Sequence, residues 1–116
     1  MEVVQSILNC KFIGMNNINE IQGLFLQKTY YSSGKLKEIY YIDKNNKMQG
    51  QYMSYYESGK LKESANLIND KLHGLYLRYY ENDQIKESFN YNNGILTGQF
   101  KKYLPNGDIE YSTLLD

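Results

Sequence analysis

Gly50-Gln51-Tyr52-Met53-Ser54-Tyr55-Tyr56-Glu57-Ser58-Gly59-Lys60-Leu61-Lys62-Glu63 returns 24 residues later as Gly74-Leu75-Tyr76-Leu77-Arg78-Tyr79-Tyr80-Glu81-Asn82-Asp83-Gln84-Ile85-Lys86-Glu87. A third copy opens at Gly98-Gln99-Phe100-Lys101-Lys102-Tyr103 and fades after Ile109-Glu110. Upstream, Tyr30-Tyr31-Ser32-Ser33-Gly34-Lys35-Leu36-Lys37-Glu38 is a further copy displaced by 25 residues, and the additional residue is assigned to the loop Asp43 to Lys47. A short fixed period of this kind marks a repeat architecture, in which each unit buries its apolar surface against its neighbours. The chain therefore divides into repeats 23–49, 50–73, 74–97 and 98–116. Residues 1–22 match only through Ile21-Gln22-Gly23 against Met48-Gln49-Gly50, and are read as a degenerate first repeat or N-terminal cap.

Two turn signals recur in each repeat. Ser33-Gly34, Ser58-Gly59, Asn82-Asp83 and Asn106-Gly107 form one set; Asn45-Asn46, Asn69-Asp70 and Asn93-Gly94 form the other. Two-residue type I′ hairpin turns need positive φ at both central positions, which Asn, Asp and Gly tolerate best. Between the turns lie stretches of about ten residues with period-2 character, and no segment sustains a helical i, i+3, i+4, i+7 pattern. The expected fold is all-β, a single elongated, twisted antiparallel meander of tandem hairpins with about eight strands.

Two-residue loops at Ser58-Gly59 and Asn69-Asp70 would pair Tyr56 with Leu61, Ser54 with Glu63 and Tyr52 with Ala65. Beyond the second turn they would pair Leu67 with Leu72, Ala65 with Gly74 and Glu63 with Tyr76, and then Arg78 with Glu87. One face would then be aromatic, lined by Tyr52, Tyr56, Tyr76, Tyr80 and Phe89. The other would carry Tyr55 beside Lys62, Tyr79 beside Lys86, and Ser64, Asn66, Ser88 and Asn90, polar enough to stand in water. Gly74 and Gly98 would leave room for a cross-strand neighbour to fold over the backbone, Phe89 over Gly98 being the clearest case.

The repeated Tyr-Tyr-Glu-Ser-Gly-Lys-Leu-Lys-Glu motif, followed by Asp70-Lys71-Leu72-His73-Gly74, resembles the variant MORN repeat over residues 23–111. It departs from the standard MORN pattern, which favours Gly-x-Gly and a Trp or Tyr after Tyr-x-Gly. The resemblance implies stacked hairpins in one twisted sheet with an aromatic-lined groove, and no catalytic residues to carry over. Bacterial members of the variant class are often grouped as antitoxin-like proteins.

Bulk composition narrows the function further. The 13 Lys plus Arg balance 13 Asp plus Glu and are interleaved, so no net field steers the chain to nucleic acid or an anionic membrane. With 13 Tyr, 4 Phe, no Trp and one Pro, the composition favours strands with half-wet faces. The single cysteine, Cys10, allows no internal disulfide and fits a reducing, cytoplasmic setting. Neither a signal-peptide pattern nor an apolar run of about 20 residues is expected from the N-terminal stretch or beyond.

Catalysis and metal binding find little support in the residues. His73 is the one histidine, and its repeat equivalents are Gln49 and Thr97, so a polar residue of any kind suffices there. A general base also needs an orienting partner, which the pattern does not supply. Cys10, between Asn9 and Lys11, has no base nearby in sequence and reads as a free thiol. Glu38, Glu63 and Glu87 recur two strands apart, about 9.5 Å, too far to share one metal ion. Local pairing accounts for them instead, Glu87 with Arg78 and the others with tyrosine hydroxyls. Tyrosines among lysines suggest single-stranded nucleic acid, yet glutamates accompany the lysines in every well-formed repeat.

The expected activity is thus non-catalytic: a protein-interaction or scaffold module, without cofactor, binding another protein through Tyr52, Tyr56, Tyr76, Tyr80, Arg78, Glu63 and Glu87. Self-association is a further use of the same face, because one sheet with one aromatic face has nothing in the sequence large enough to cover it. An antitoxin or immunity-type protein is a sharper version of this reading. A peripheral phospholipid-binding module is the rival, disfavoured by the absence of a polybasic cluster.

Overall fold

A computed structural model describes residues 23–115. The segment 1–22, read above as a degenerate repeat or cap and containing Cys10, lies outside the described residues. The described residues form nine strands: β1 (Phe25–Tyr30), β2 (Leu36–Ile42), β3 (Gly50–Tyr55), β4 (Leu61–Ile68), β5 (Lys71–Leu72), β6 (Gly74–Tyr79), β7 (Ile85–Asn92), β8 (Ile95–Tyr103) and β9 (Ile109–Leu115). They form one open antiparallel sheet in chain order, with the two-residue β5 pairing only β4. The described residues contain no helix, so the all-β meander is as the turn spacing predicts.

The second set of turns behaves as expected where two residues are available. Asn69 and Asp70 have φ of 50° and 69°, and Asn93 and Gly94 have 53° and 88°, the two consecutive left-handed residues of type I′. The loop Asp43 to Lys47 is one residue longer. Asp43 and Lys47 close it through Asp43 N–H to Lys47 O at 2.9 Å, with Asn46 alone at positive φ among the three intervening residues. The 25-residue offset is located there.

The first set differs from the two-residue reading. Gly59 N–H donates to Tyr56 O and Tyr56 N–H donates to Lys60 O, both at 2.8 Å, so the loop comprises Glu57, Ser58 and Gly59. Only its last residue is left-handed, Gly59 at φ 97°, the signature of a type I turn closed by a bulge. The same bonds recur around Gly34, Asp83 and Gly107. Tyr55, not Tyr56, therefore lies opposite Leu61, and the register shifts by one before Ser54 meets Glu63. Lys62 is left at the bulge, with its ammonium 5.6 Å from the centre of the Tyr56 ring rather than paired with Tyr55. Lys37 over Tyr31 and Lys86 over Tyr80 repeat the stack at the same distance.

A second correction lies between repeats. Glu63 pairs with Arg78 rather than Tyr76, because the chain slips by two residues after Leu67 meets Leu72. Gly74 sits at the slip with φ 90°, and a Cβ built on it would touch nothing within 4 Å. The glycine is needed for left-handed backbone, not for space. At Gly98 a Cβ would lie 3.4 Å from Cβ of Asn90, while Phe89 packs on Phe100 with ring centres 5.0 Å apart. The expected fold of Phe89 over Gly98 is not formed. A two-residue slip preserves the alternation of side chains, so the faces of Tyr52, Glu63, Ala65 and Tyr76 are as expected; the one-residue shift at the first turns is different and sets Leu61 opposite Tyr55, expected on the other face.

Hydrogen bonds join successive repeats at both ends of the strands. At one end the hydroxyls of Tyr31, Tyr56 and Tyr80 donate to the main-chain oxygens of Tyr55, Tyr79 and Tyr103, each at 2.6 Å. At the other, Asp70 N–H donates to Met48 O at 3.0 Å and Gly94 N–H to Leu72 O at 2.7 Å, so each type I′ turn docks on the preceding repeat. The buried apolar core of the described residues is small: Ala65 and Leu67 on the face of Tyr52, and Ile39 on the other. Hydrogen-bonded fastening of this kind supplements what a thin single sheet cannot bury.

Candidate functional site

Along the aromatic face, strand alternation places Tyr52 beside Ala65 and sets Leu67 against Leu72 on the same side. These residues, with Met48, Glu63 and Tyr76, line an open cleft of about 210 Å³ whose surface is mainly apolar. Ala65 and Leu67 form its floor, and the rings of Tyr52 and Tyr76 lie one repeat apart on either side. The aromatic row continues outward through Tyr40, 6.1 Å from Tyr52, and through Phe89, 5.3 Å from Tyr76. Phe100 and Tyr111 extend it to the last strand at 5.0 and 5.8 Å steps.

The polar ends of both cleft tyrosines are already satisfied. Tyr52 donates to Glu38 Oε2 at 2.6 Å, and Glu38 Oε1 accepts from Thr29 at 2.8 Å. Tyr76 donates to Glu63 Oε2 at 2.8 Å, and Glu63 Oε1 accepts from the buried Ser54 hydroxyl at 3.0 Å. The Tyr52 hydrogen bond holds the Glu38 carboxyl below its usual pKa, against an opposing desolvation. Burial, followed by the hydrogen bond to a glutamate, pushes both phenols well above the ordinary tyrosine range. The rings are thereby oriented by charge-assisted bonds rather than by packing alone.

The next repeat satisfies its glutamate with different chemistry. Phe100 stands where Tyr52 and Tyr76 stand, so Glu87 receives no phenol from that position. Arg78 replaces Ser54 across from the glutamate and donates from Nη1 to Glu87 Oε1 at 2.6 Å, with its Nε 3.8 Å from Glu63. Burial alone would lower the Arg78 pKa; the Glu87 charge and hydrogen bond outweigh it. Of the expected partner-binding residues, the structure brings Tyr52, Tyr76 and Glu63 to the cleft, with Arg78 and Glu87 next along the face. Tyr56 and Tyr80 do not line it; they sit at the turns, under Lys62 and Lys86.

Met48, Leu67, Leu72 and Tyr40 join the site although the sequence reading does not single them out. The available signal is the alternation Ala65-x-Leu67 together with the Leu67–Leu72 pairing across the type I′ turn. His73 serves the structure, since its Nδ1 accepts the Asn93 N–H at 3.1 Å, just as Gln49 Oε1 accepts the Asn69 N–H at 3.0 Å. No group of three or more His, Cys, Asp or Glu side chains is placed to hold a metal ion among the described residues. No helix among them is long and apolar enough to cross a membrane.

The profile of the MORN repeat variant matches three tandem stretches, residues 26–43, 48–69 and 72–93. No curated protein matches the sequence. Among solved structures, the crystal structure of TarM is similar at 14% identity with a TM-score of 0.40, over 98% of this chain and 25% of that one. The chain thus spans about a quarter of the length of that protein.

Proposed function

The chain belongs to the MORN repeat variant family, a class of generally non-enzymatic repeat modules, and from that premise we infer that it acts as a protein-docking module, its aromatic face receiving the partner at the cleft between Tyr52 and Tyr76. The observation that carries this reading is the satisfaction of both phenols by glutamates of the preceding repeat. Desolvating a surface is costly when polar atoms lose water without gaining a partner. Here the hydroxyls keep their partners when a ligand covers the rings, and the rings need no reordering. Low ordering cost and large aromatic area are the properties of binding hot spots, each worth about 2 kcal/mol or more.

The chemistry of the cleft favours an apolar side chain of the partner seated on Ala65 and Leu67. A neutralised toxin would be one such partner. A photo-crosslinking side chain introduced at Leu72, inside the cleft, is expected to capture a specific protein in host extract. The same group at Leu75, exposed on the opposite face, is expected not to capture it. Equal capture at the two positions would reject the docking face.

A further inference from the structure

Building on the docking reading of the cleft, on which this assignment rests, we propose that the partner protein's side chain seated on Ala65 and Leu67 is aromatic, and that it completes a row of rings in which this chain leaves one place empty. Each long inner strand gives one residue to the row: Tyr40 on β2, Tyr52 on β3, Ala65 on β4, Tyr76 on β6, Phe89 on β7 and Phe100 on β8. Ala65 stands 25 residues after Tyr40 and 24 before Phe89, the offsets of the repeat itself. Wherever two neighbours in the row are both aromatic their rings are in contact, Tyr40 with Tyr52 at 6.1 Å, Tyr76 with Phe89 at 5.3 Å and Phe89 with Phe100 at 5.0 Å between centres. From Tyr40 to Phe100 the one interruption is Ala65, and the cleft of about 210 Å³ lies over it.

The surroundings of Ala65 match those of a ring in the row. Register sets Ala65 opposite Tyr52 just as it sets Phe89 opposite Tyr76. Tyr76 reaches back across the joint to Glu63, two residues before Ala65, and Tyr52 reaches back to Glu38, two residues before Tyr40. Tyr52 does so with the Tyr40 ring in place, so the same lean of Tyr76 is compatible with a ring above Ala65. A ring placed there meets Tyr52 within the hairpin and Tyr76 across the joint, and the contacts along the row have the tilted geometry, with centres about 4.5–7 Å apart, that aromatic pairs prefer. Charge agrees with this occupant: the charged group lining the cleft is the Glu63 carboxylate, and an aromatic ring presents a positive edge. An aliphatic side chain would cover Leu67 and Leu72 equally well but would forgo both ring pairs.

The test needs no identified partner. p-Cresol, the tyrosine side chain as a free molecule, is titrated into the full chain and followed through the methyl resonances of Ala65, Leu67 and Leu72, with cyclohexanol as a saturated ring of similar size. p-Cresol is expected to move these methyls by its ring current and to half-saturate at a concentration at least about fivefold lower than cyclohexanol, the least that two aromatic pairs supply. Ala65→Phe gives the second arm. Completing the row from within is expected to raise Tm by roughly 2–8 °C, as cavity-filling substitutions do, to abolish the p-cresol shifts at Leu72, and to block capture of protein by a photo-crosslinking side chain at Leu72. Equal affinity for the two probes, shifts confined to residues outside the cleft, or a fall in Tm for Ala65→Phe would overturn the aromatic occupant. So would a shift of the Ala65 methyl in the free chain that Phe12→Ala abolishes, because the chain would then fill its own cleft. Capture at Leu72 without preference for p-cresol removes the aromatic occupant and leaves the docking face standing, whereas p-cresol binding with no capture at Leu72 overturns the docking face itself.

Discussion

Tyr56 donates its hydroxyl to the main-chain oxygen of Tyr79, 23 residues further on, at 2.6 Å, while Lys62 covers its ring. One tyrosine thus ties two successive turns together and is covered by a cation from its own hairpin. Tyr31 and Tyr80 do the same one repeat earlier and later. Burial raises the Tyr56 pKa, so the hydroxyl stays a donor throughout the neutral range.

Removing that hydroxyl isolates the tie from the ring. Tyr56→Phe and Tyr80→Phe are each expected to cost about 1 kcal/mol, the usual net worth of one intramolecular hydrogen bond. In a domain of this size that corresponds to a fall in Tm of roughly 4–8 °C. Thermal unfolding checks it. Partner binding should be unchanged by the Phe variants, because neither residue lines the cleft.

Stability should fall on both sides of neutrality for separate reasons. Glu38 has a folded-state pKa below its ordinary 4.5, so its contribution is complete above that value and is lost as pH drops through the lower one. Tyr52 and Tyr76 have folded-state values raised above 10.0, so their contribution is complete below pH 10 and is lost as pH rises beyond it. A spectrophotometric titration of the phenols should show a late class that ionises together with unfolding. Tyr52→Phe should remove part of the acid sensitivity, since Glu38 then loses its principal donor.

Gly74→Ala offers a test of why that glycine is there. Space is open around it, so a purely steric view of cross-strand crowding expects no penalty. With φ at 90°, a Cβ costs about 1–2 kcal/mol from local backbone strain. Denaturant unfolding should show that loss, and Gly74→Asn should cost less than Gly74→Ala, asparagine being more tolerant of positive φ.

The exchange of donors between repeats predicts coupling. Arg78→Ser is expected to destabilise by about 1–3 kcal/mol, because the Glu87 side chain is only 13% exposed and loses its charged partner. Adding Phe100→Tyr supplies the phenol used at Glu38 and Glu63, and should recover part of the loss. A double-mutant cycle measures the coupling, expected at about 0.5 kcal/mol or more, as for neighbouring polar pairs.

The repeat period, the type I′ turns at Asn69-Asp70 and Asn93-Gly94, and the pairing of Tyr52 with Ala65 and Arg78 with Glu87 are all legible in the sequence. Each depends on local chemistry: left-handed residues in pairs, and strict alternation away from a known turn. The length of the Ser58-Gly59 loop is not legible, because a lone left-handed glycine serves a three-residue loop as well as a two-residue one. Only the Tyr56–Lys60 bonding distinguishes them. The slip at Gly74 is invisible for a different reason: a shift of two leaves every side chain on its own face, so no pattern of polarity records it. The cleft emerges from that slip, since it brings Glu63 opposite Arg78 and leaves Tyr76 to reach the same carboxylate from beside it.

The docking face is tested most directly by calorimetric titration of the captured partner into three chains: native, Leu72→Lys in the cleft, and Leu75→Lys on the opposite face. With folding of each confirmed by circular dichroism, the cleft variant is expected to lose at least tenfold in affinity, as for a truncated or charged hot spot. The opposite-face variant is expected to stay within about threefold of native, as ordinary surface substitutions do. Loss of binding by Leu75→Lys with retention by Leu72→Lys would contradict the assignment of the Tyr52–Tyr76 cleft as the docking site.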